Sequence, residues 1–474
     1  MTDDKKTYLL LKSPNLYKAI LLMALPIMFS NILKSVHDIV DMYFVGNLAI
    51  DPMQVEAMVS AITVTNPIIQ IFQALATGLM IAGSALMSQY LGANKEKEAK
   101  TINAQLLIMC TIFGIIFNIL LFFLTTPILK LMGAASKPDV FMYAKEYVMI
   151  RSFEMTGLFI FFAYQATRQA TGDTVTPVIL NVVSILLNIA LTAIMVRKYY
   201  LVGAAYATVI ANLIIIPVCF ILYFKTKATS IKLEFKDLKP NFKYMKQTFI
   251  LGVPAAISQA FTSVGFLIIN SIILSFDGYL ITAIGVGNRI NSILLFPTMA
   301  VGSVLATFVG QNIGASNVKR ARASVKASVV ISLIISVVGG VGLMFLRKDL
   351  ASIFIINNEL ALNACVDYLY FLLLGLPLMG IFQVLIGAFQ GAARTDFSLI
   401  LSSLRLWVLR IPVILLYMKV FNVGEKSIFY AMIISNVGAV IIGTFMYTFI
   451  NFKPRFTKMK QKMLKQIEKE VVGN

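Results

Sequence analysis

Charge is scarce in this 474-residue chain: Asp, Glu, Lys and Arg make up 13% of it, against roughly 25% in a soluble domain. That scarcity, beside 58% hydrophobic residues, excludes an ordinary soluble enzyme and fits a polytopic membrane protein. Histidine occurs once and cysteine three times. Cys110, Cys219 and Cys365 sit in apolar segments without CxxC or other metal spacing, so they read as buried thiols. HExxH, GxSxG and Walker sequences are missing, and the single histidine stands among apolar residues, which argues against a membrane-embedded enzyme. Residues 1–18 lack a short apolar core followed by a small-residue cleavage site, so no cleaved signal peptide is expected and the first span is retained as structure.

What is abundant is long apolar sequence. It divides into about twelve spans, many longer than the ~20 residues that cross a bilayer. In the first half these are 17–46, 53–87, 103–126, 140–165, 175–196 and 202–224. In the second they are 246–276, 279–310, 324–346, 361–389, 397–420 and 426–451. The net charge of +19 resides in short connections and not on the face of a folded domain, so it does not signify nucleic-acid binding. Lys95, Lys97, Lys100, Lys319, Arg320, Arg322 and Arg394 lie in even-numbered connections, together with the 225–246 run and the tail from Lys453. The opposite connections hold few basic residues. By the positive-inside rule both termini are cytoplasmic, and the basic residues face anionic lipid. The tail, with Met459, Met463, Leu464 and Ile467 between its lysines, reads as an amphipathic segment on the membrane surface.

The first span carries an ionisable stripe. Lys34, His37, Asp38 and Asp41 fall within about a 100° arc of one helix at 100° per residue. Charge facing hydrocarbon costs a few kcal/mol or more per residue, so such a stripe turns toward a bundle interior or wet cavity, where ion and proton pathways lie. A transporter is therefore the leading expectation.

An internal repeat divides the chain. SQYLGANKEKEA at 88–99 resembles GQNIGASNVKRA at 310–321, an offset of 222, with Gln89, Gly92 and Ala93 matching Gln311, Gly314 and Ala315. RQATGDT at 168–174 echoes FQGAART at 389–395, and Val202-Gly203 echoes Val423-Gly424. Six spans per repeat is an even number, so the halves are parallel repeats about a pseudo-two-fold axis along the membrane normal. The expected architecture is an all-α membrane protein of twelve transmembrane helices in two six-helix lobes. Its divisions are 1–224, a basic cytoplasmic linker at 225–245, 246–451, and a basic tail at 452–474. Pro26 aligns with Pro254 in the first helix of each half, where proline removes a backbone hydrogen bond; it reads as a structural kink or a hinge. The acids of the stripe belong to one lobe only, since the equivalent stretch of the second half has none.

The segments LPIMFSNILKSVHDIVDMYFVGNL, SQYLGAN, RQATGDTVTP with LLNIAL, YLITAIGVGNRI and FVGQNIGA, in this order, resemble the multidrug and toxic compound extrusion (MATE) family of secondary transporters. The likeness runs from Lys12 through the twelfth span. It implies a twelve-helix antiporter with two lobes around a central cavity. Such a protein expels small amphipathic, often cationic, compounds against inward H⁺ or Na⁺ by alternating access, without a cofactor. The expected setting is the cell membrane, and the expected state is a monomer. Carried over residue by residue, Asp41 matches the family's first-helix acid, Asn188 its fifth-helix asparagine, and Thr208 a sixth-helix polar neighbour of the same pocket. Thr192 stands where many members read Asp, and Lys34, His37 and Asp38 where many read Gln, Tyr and Asn.

The chemistry of coupling follows from burial. A poorly solvated carboxyl has its pKa pushed up, so Asp41 loads a proton from outside and releases it when the pocket reopens. Asp38 would titrate with it as a coupled unit unless Lys34, at i−4, neutralises Asp38 as a helical ion pair. His37 reads as a hydrogen-bonded wall residue, a proton relay or a metal ligand. Na⁺ would find oxygen ligands in Asp41, Asn188, Thr192 and Thr208, but Lys34 and His37 oppose a fixed cation, which favours H⁺. Lys34, His37, Asp38 and Asp41 are also the candidate substrate contacts. Arg151 and Glu154, at i and i+3, read as a self-neutralising pair. Arg289, Arg405 and Arg410 read as stabilising helix ends or touching lipid phosphates. A flippase for a lipid-linked oligosaccharide is the alternative, although its cavity would hold more Arg and Lys than these few.

Overall fold

The structure, a computed structural model, describes residues 3–46, 48, 51–132, 136–224, 231–274, 276, 278–355 and 358–455; side chains of residues 3–5 and 35–42 lie outside the described set. The chain begins with a short helix α1 (Asp3–Leu11), followed by α2 (Leu16–Gly46), α3 (Pro52–Gly92), α4 (Glu96–Leu131), α5 (Pro138–Arg151), α6 (Glu154–Ala170) and α7 (Val175–Phe224). The second half comprises α8 (Phe242–Ile273), α9 (Gly278–Gly314), α10 (Val318–Phe354), α11 (Glu359–Gly391), α12 (Thr395–Ser403), α13 (Ile411–Lys419) and α14 (Lys426–Thr448). A π-helical turn at Leu404–Arg410 joins α12 to α13.

Local chemistry sets these boundaries. Asp51 caps α3 by accepting from the Met53 amide at 3.1 Å, and Pro52 occupies the first turn, where its missing N–H costs nothing. Asn317 caps α10 in the same way, accepting from the Arg320 amide at 3.0 Å. Among the described residues, ten helices are long and apolar enough to cross a membrane. The full set of crossings is twelve, in two lobes. The difference lies in two places. The expected single span 140–165 is broken between α5 and α6 at Ser152 and Phe153, where Arg151 and Glu154 pair with each other. Conversely α7 is two spans. Tyr200 leaves helical geometry at φ 51°, ψ −134°, and Asn188 then bonds Thr208 at 2.9 Å, although twenty residues of straight helix would separate them by about 30 Å.

The duplication is recorded in the backbone. Six of the seven positive-φ residues among those described form repeat-related pairs, Asn94 with Ser316, Gly172 with Ala393 and Tyr200 with Asn422; Gly424 is the seventh. At the helix ends before the first two pairs, a 6→1 bond closes the last turn: Lys95 N to Tyr90 O, Asn317 N to Asn312 O, Asp173 N to Arg168 O, and Arg394 N to Phe389 O. Such caps hold the polar backbone of four equivalent loops in one arrangement, all on the basic side of the molecule.

On that side the lobes are in contact. Gln89 donates to the Gly391 carbonyl at 3.1 Å and Gln311 to the Ala170 carbonyl at 2.7 Å, a pair that the repeat exchanges. A Cβ on Gly92 would run into the Gln311 carbonyl, and one on Gly314 into the Gln89 carbonyl. The lobes also share elements: α2 packs on α9 and α8 on α3. Ala19, Ile20, Met23, Ala24 and Met28 of α2 lie in the core of the second lobe, and Leu251 of α8 lies in that of the first. Pro26 and Pro254 sit inside α2 and α8, each near this exchange.

Helix α1 straps the face where the lobes meet. Lys6 forms a buried ion pair with Asp173 at 3.3 Å, while the Leu10 carbonyl near the C-terminal end of α1 accepts from both Asn312 (3.1 Å) and Arg320 (3.2 Å) of the other lobe. Burial pushes the Asp173 carboxyl up, but the Thr176 hydroxyl and amide, Lys6 and Arg168 together hold it below the usual carboxylate range. A depressed folded pKa contributes stability above the unfolded value of about 3.9 that is lost only as pH falls through the lower folded value. Docking of α1 is therefore expected to be unchanged between pH 5 and 8 and to weaken only below about pH 4. Asp173→Asn is expected to raise amide exchange of residues 3–11 about tenfold at neutral pH, from a loss on the order of 1–2 kcal/mol; unchanged exchange would show that the strap does not depend on this carboxylate.

Candidate functional site

The first lobe encloses a cavity of about 320 Å³ between α2, α3, α5, α6 and α7, within the size range of small-molecule pockets. Its wall is mixed. Ile62, Ile69, Leu158, Phe161 and Phe162 supply apolar and aromatic surface, and Asn66, Gln70 and Gln73 of α3 supply amides one helical turn apart. Two strings of hydrogen bonds run through the opposite side.

The first string starts at the break between α5 and α6. Arg151 donates to Glu154 Oε1 through Nε at 3.0 Å and Nη2 at 2.6 Å, and through Nη1 to the Tyr147 hydroxyl at 2.9 Å. Glu154 Oε2 accepts from Asn212 at 3.1 Å, and the Asn212 carbonyl accepts from Ser184 at 3.1 Å. Glu154, fully buried, therefore has both oxygens occupied and its charge neutralised. The pairing read from the i, i+3 spacing is present, whereas Asn212 and Ser184 went unmarked, because a lone amide or hydroxyl in an apolar run has no periodic signature. Only the fold-back of α7 brings them to Glu154.

The second string is the Asn188 group. Thr192 donates to the Asn188 carbonyl at 3.3 Å, Asn188 donates to Thr208 at 2.9 Å, and Thr208 donates to the Ala204 carbonyl at 3.0 Å. The structure thus brings Asn188, Thr192 and Thr208 together, and Asn188 and Thr208 line the cavity with Lys34. The side chains of His37, Asp38 and Asp41 lie outside the described residues. Among the described lining residues, Glu154 is the one carboxylate, and it is already committed to Arg151 and Asn212.

Two arginines correct the sequence reading. Arg405 and Arg410, expected at helix ends or lipid phosphates, are buried inside the second lobe at 5% and 7% exposure, beside a separate cavity of about 130 Å³. The π-helical turn is responsible. Residues five apart point about 140° apart on an α-helix, whereas the wider turn, bonded i to i+5, carries both toward one side.

A profile of the MatE family matches residues 26–194 and 254–416, one segment in each repeat. A Bacillus subtilis protein named a probable multidrug resistance protein, YoeA, is 25% identical over 84% of this chain and 86% of its own length. The multidrug export protein MepA of Staphylococcus haemolyticus is 24% identical over 70% of this chain and 71% of its own. A solved structure described as the outward-facing conformation of a multidrug resistance MATE family transporter superimposes with a TM-score of 0.85, covering 98% of this chain and 99% of that one at 21% identity.

Proposed function

This chain belongs to the MATE family of multi-pass membrane transporters, proteins that are not enzymes, and we propose that it is a multidrug efflux antiporter of the cell membrane. It exports small amphipathic, often cationic, compounds in exchange for H⁺ by alternating access. The single observation that carries this reading is the first-lobe cavity: amphipathic, of small-molecule size, and supplied with amide and hydroxyl groups but with no uncommitted carboxylate among its described lining. A cationic cargo needs a titratable partner there, and α2 carries the acids of the stripe, Asp38 one helical turn and Asp41 two turns past Lys34, a residue of the same wall.

Asp41 is the proposed proton site, with Asn188, Thr208 and Thr192 as its polar surroundings, and Asp38 and His37 as coupled or relaying neighbours. Lys34 supports H⁺ over Na⁺, because a fixed cation beside an ammonium group is opposed. Protonation changes the differential affinity for cargo between the two access states, and only such a difference drives exchange. Both termini are proposed to be cytoplasmic, which places the Gln89 and Gln311 contacts at the inner face and makes this an arrangement closed to the cytoplasm. The unit is proposed to be a monomer. Pro26 and Pro254 are proposed hinges, since both lie where one lobe's helix enters the other's core.

The test is transport in proteoliposomes with a fluorescent cation, applying a pH gradient and a Na⁺ gradient separately. Efflux is expected with the pH gradient alone and is expected to vanish, by at least about 100-fold, in Asp41→Asn with the protein still folded. Coupled efflux retained by that variant would remove Asp41 from the mechanism, and efflux driven only by Na⁺ would overturn the choice of ion.

A further inference from the structure

The second lobe holds two buried guanidinium groups that no carboxylate meets among the described residues. Arg410 donates through Nε to Ser435 at 2.9 Å and through Nη2 to the Asn436 carbonyl at 2.8 Å. Arg405 has weaker company: its Nη1 approaches the Met379 sulfur at 3.3 Å, its guanidinium lies 4.5 Å from the centre of the Phe382 ring, and its Nε has no hydrogen-bond partner. Both line the 130 Å³ cavity, and so do Asn288, Asn291 and Asn436.

The remaining hydrogen-bonding capacity of this wall is biased toward donors. The carbonyl of Asn436 is occupied by Arg410, and that of Asn288 by the Tyr368 hydroxyl at 2.8 Å, so each amide has N–H groups left to offer. Asn291 has an unpartnered carbonyl oxygen, and half a turn of its amide presents N–H there instead. Two positive charges with surplus donors, removed from water and facing one cavity, are complementary to an anion with planar acceptor oxygens, which arginine binds through a forked pair of bonds. The volume is below that of a drug-sized pocket, so it admits a head group. Ile269, Leu372 and Met432 on the same wall continue it with apolar surface.

We propose that the second lobe contains a binding site for the carboxylate group of an amphipathic organic anion, held by Arg405 and Arg410. This is separate from the Asp41 proposal and does not depend on it.

The chain contains its own reporter. Trp407, its single tryptophan, lies in the π-helical turn between the two arginines and donates to the Phe261 carbonyl at 3.1 Å. Decanoate titrated into the full-length protein in neutral detergent is expected to change Trp407 fluorescence saturably, with no such response to decyltrimethylammonium. Arg405→Gln and Arg410→Gln are each expected to weaken decanoate binding at least about tenfold. The corresponding lysine variants, which keep the charge without the fork, are expected to fall between these and the unaltered protein. Thermal unfolding midpoints of all four in the same detergent should stay near that of the unaltered protein, which reports that they are folded. A saturable response to decanoate that is equal in the glutamine variants, no saturable response in the unaltered protein, or an equal response to decyltrimethylammonium would overturn the assignment. If chloride alone saturates the signal and decanoate does not compete, the site holds a halide and not a carboxylate.

Discussion

Glu154→Gln is expected to destabilise the protein by about 3–5 kcal/mol, the cost of leaving one member of a buried ion pair uncompensated. Arg151 then keeps its charge beside a fully buried neutral amide, and the Asn212–Ser184 string loses its anchor. Arg151→Met is expected to be of similar severity, since it strands the Glu154 carboxylate. The double variant Arg151→Met with Glu154→Gln should recover most of the loss, because replacing both partners of a buried pair is often neutral. Thermal unfolding of the four proteins in detergent gives the coupling directly as a double-mutant cycle. Strict additivity would show that the two groups do not act as a pair. Transport separates two roles: if the pair only fixes the break between α5 and α6, the double variant should transport normally, whereas a folded but inactive double variant would place the charges themselves in the pathway.

Gly92→Ala and Gly314→Ala are expected to disable transport by a different route. Each methyl would occupy space taken by a carbonyl of the other lobe, and backbone cannot yield as a flexible side chain does. Overpacking of this kind costs about 3 kcal/mol, enough to shift a two-state equilibrium about 150-fold. The penalty falls only on the state in which the lobes meet at the basic face, so the variants should fold normally and populate the state open on that side. Cysteine labelling at Ser88, buried beneath this contact, should accelerate by a comparable factor in either alanine background. Unaltered labelling together with unaltered efflux would mean that the contact is not part of the transport cycle.

The lobe contact was written in the sequence. SQYLGAN and GQNIGAS resemble each other because Gln89 and Gln311 bond equivalent carbonyls, and because Gly92 and Gly314 meet each other's partner. The repeat therefore announced a structural requirement as well as a duplication. Asn188, Thr192 and Thr208 were legible through family resemblance, and the structure shows that they touch. Asn212 was not, since its partner Glu154 is 58 residues away and nothing in either neighbourhood signals the other. Arg405 and Arg410 were misplaced for a related reason. Regular helical spacing puts them on different faces, and the π-helical turn that turns both inward has no pattern of hydrophobic residues to reveal it. Pairings between distant residues and departures from regular helix are the two things periodicity does not encode.

The exchange of helices between lobes also bears on how the protein is made. Chain emerges and inserts from the N-terminus, yet Ala19, Ile20 and Met23 have their partners in α9 and beyond, and Gly78 of α3 has its own in Gly252 and Ala256 of α8. When the first six spans have been synthesised, the first lobe still lacks Leu251 from its core and presents an open side in the bilayer. It closes only when α8 arrives, and the early half of α2 waits longer still. The two repeats are therefore not independent folding units strung together. The earlier half is a half-built scaffold, held in the membrane until the later half completes it.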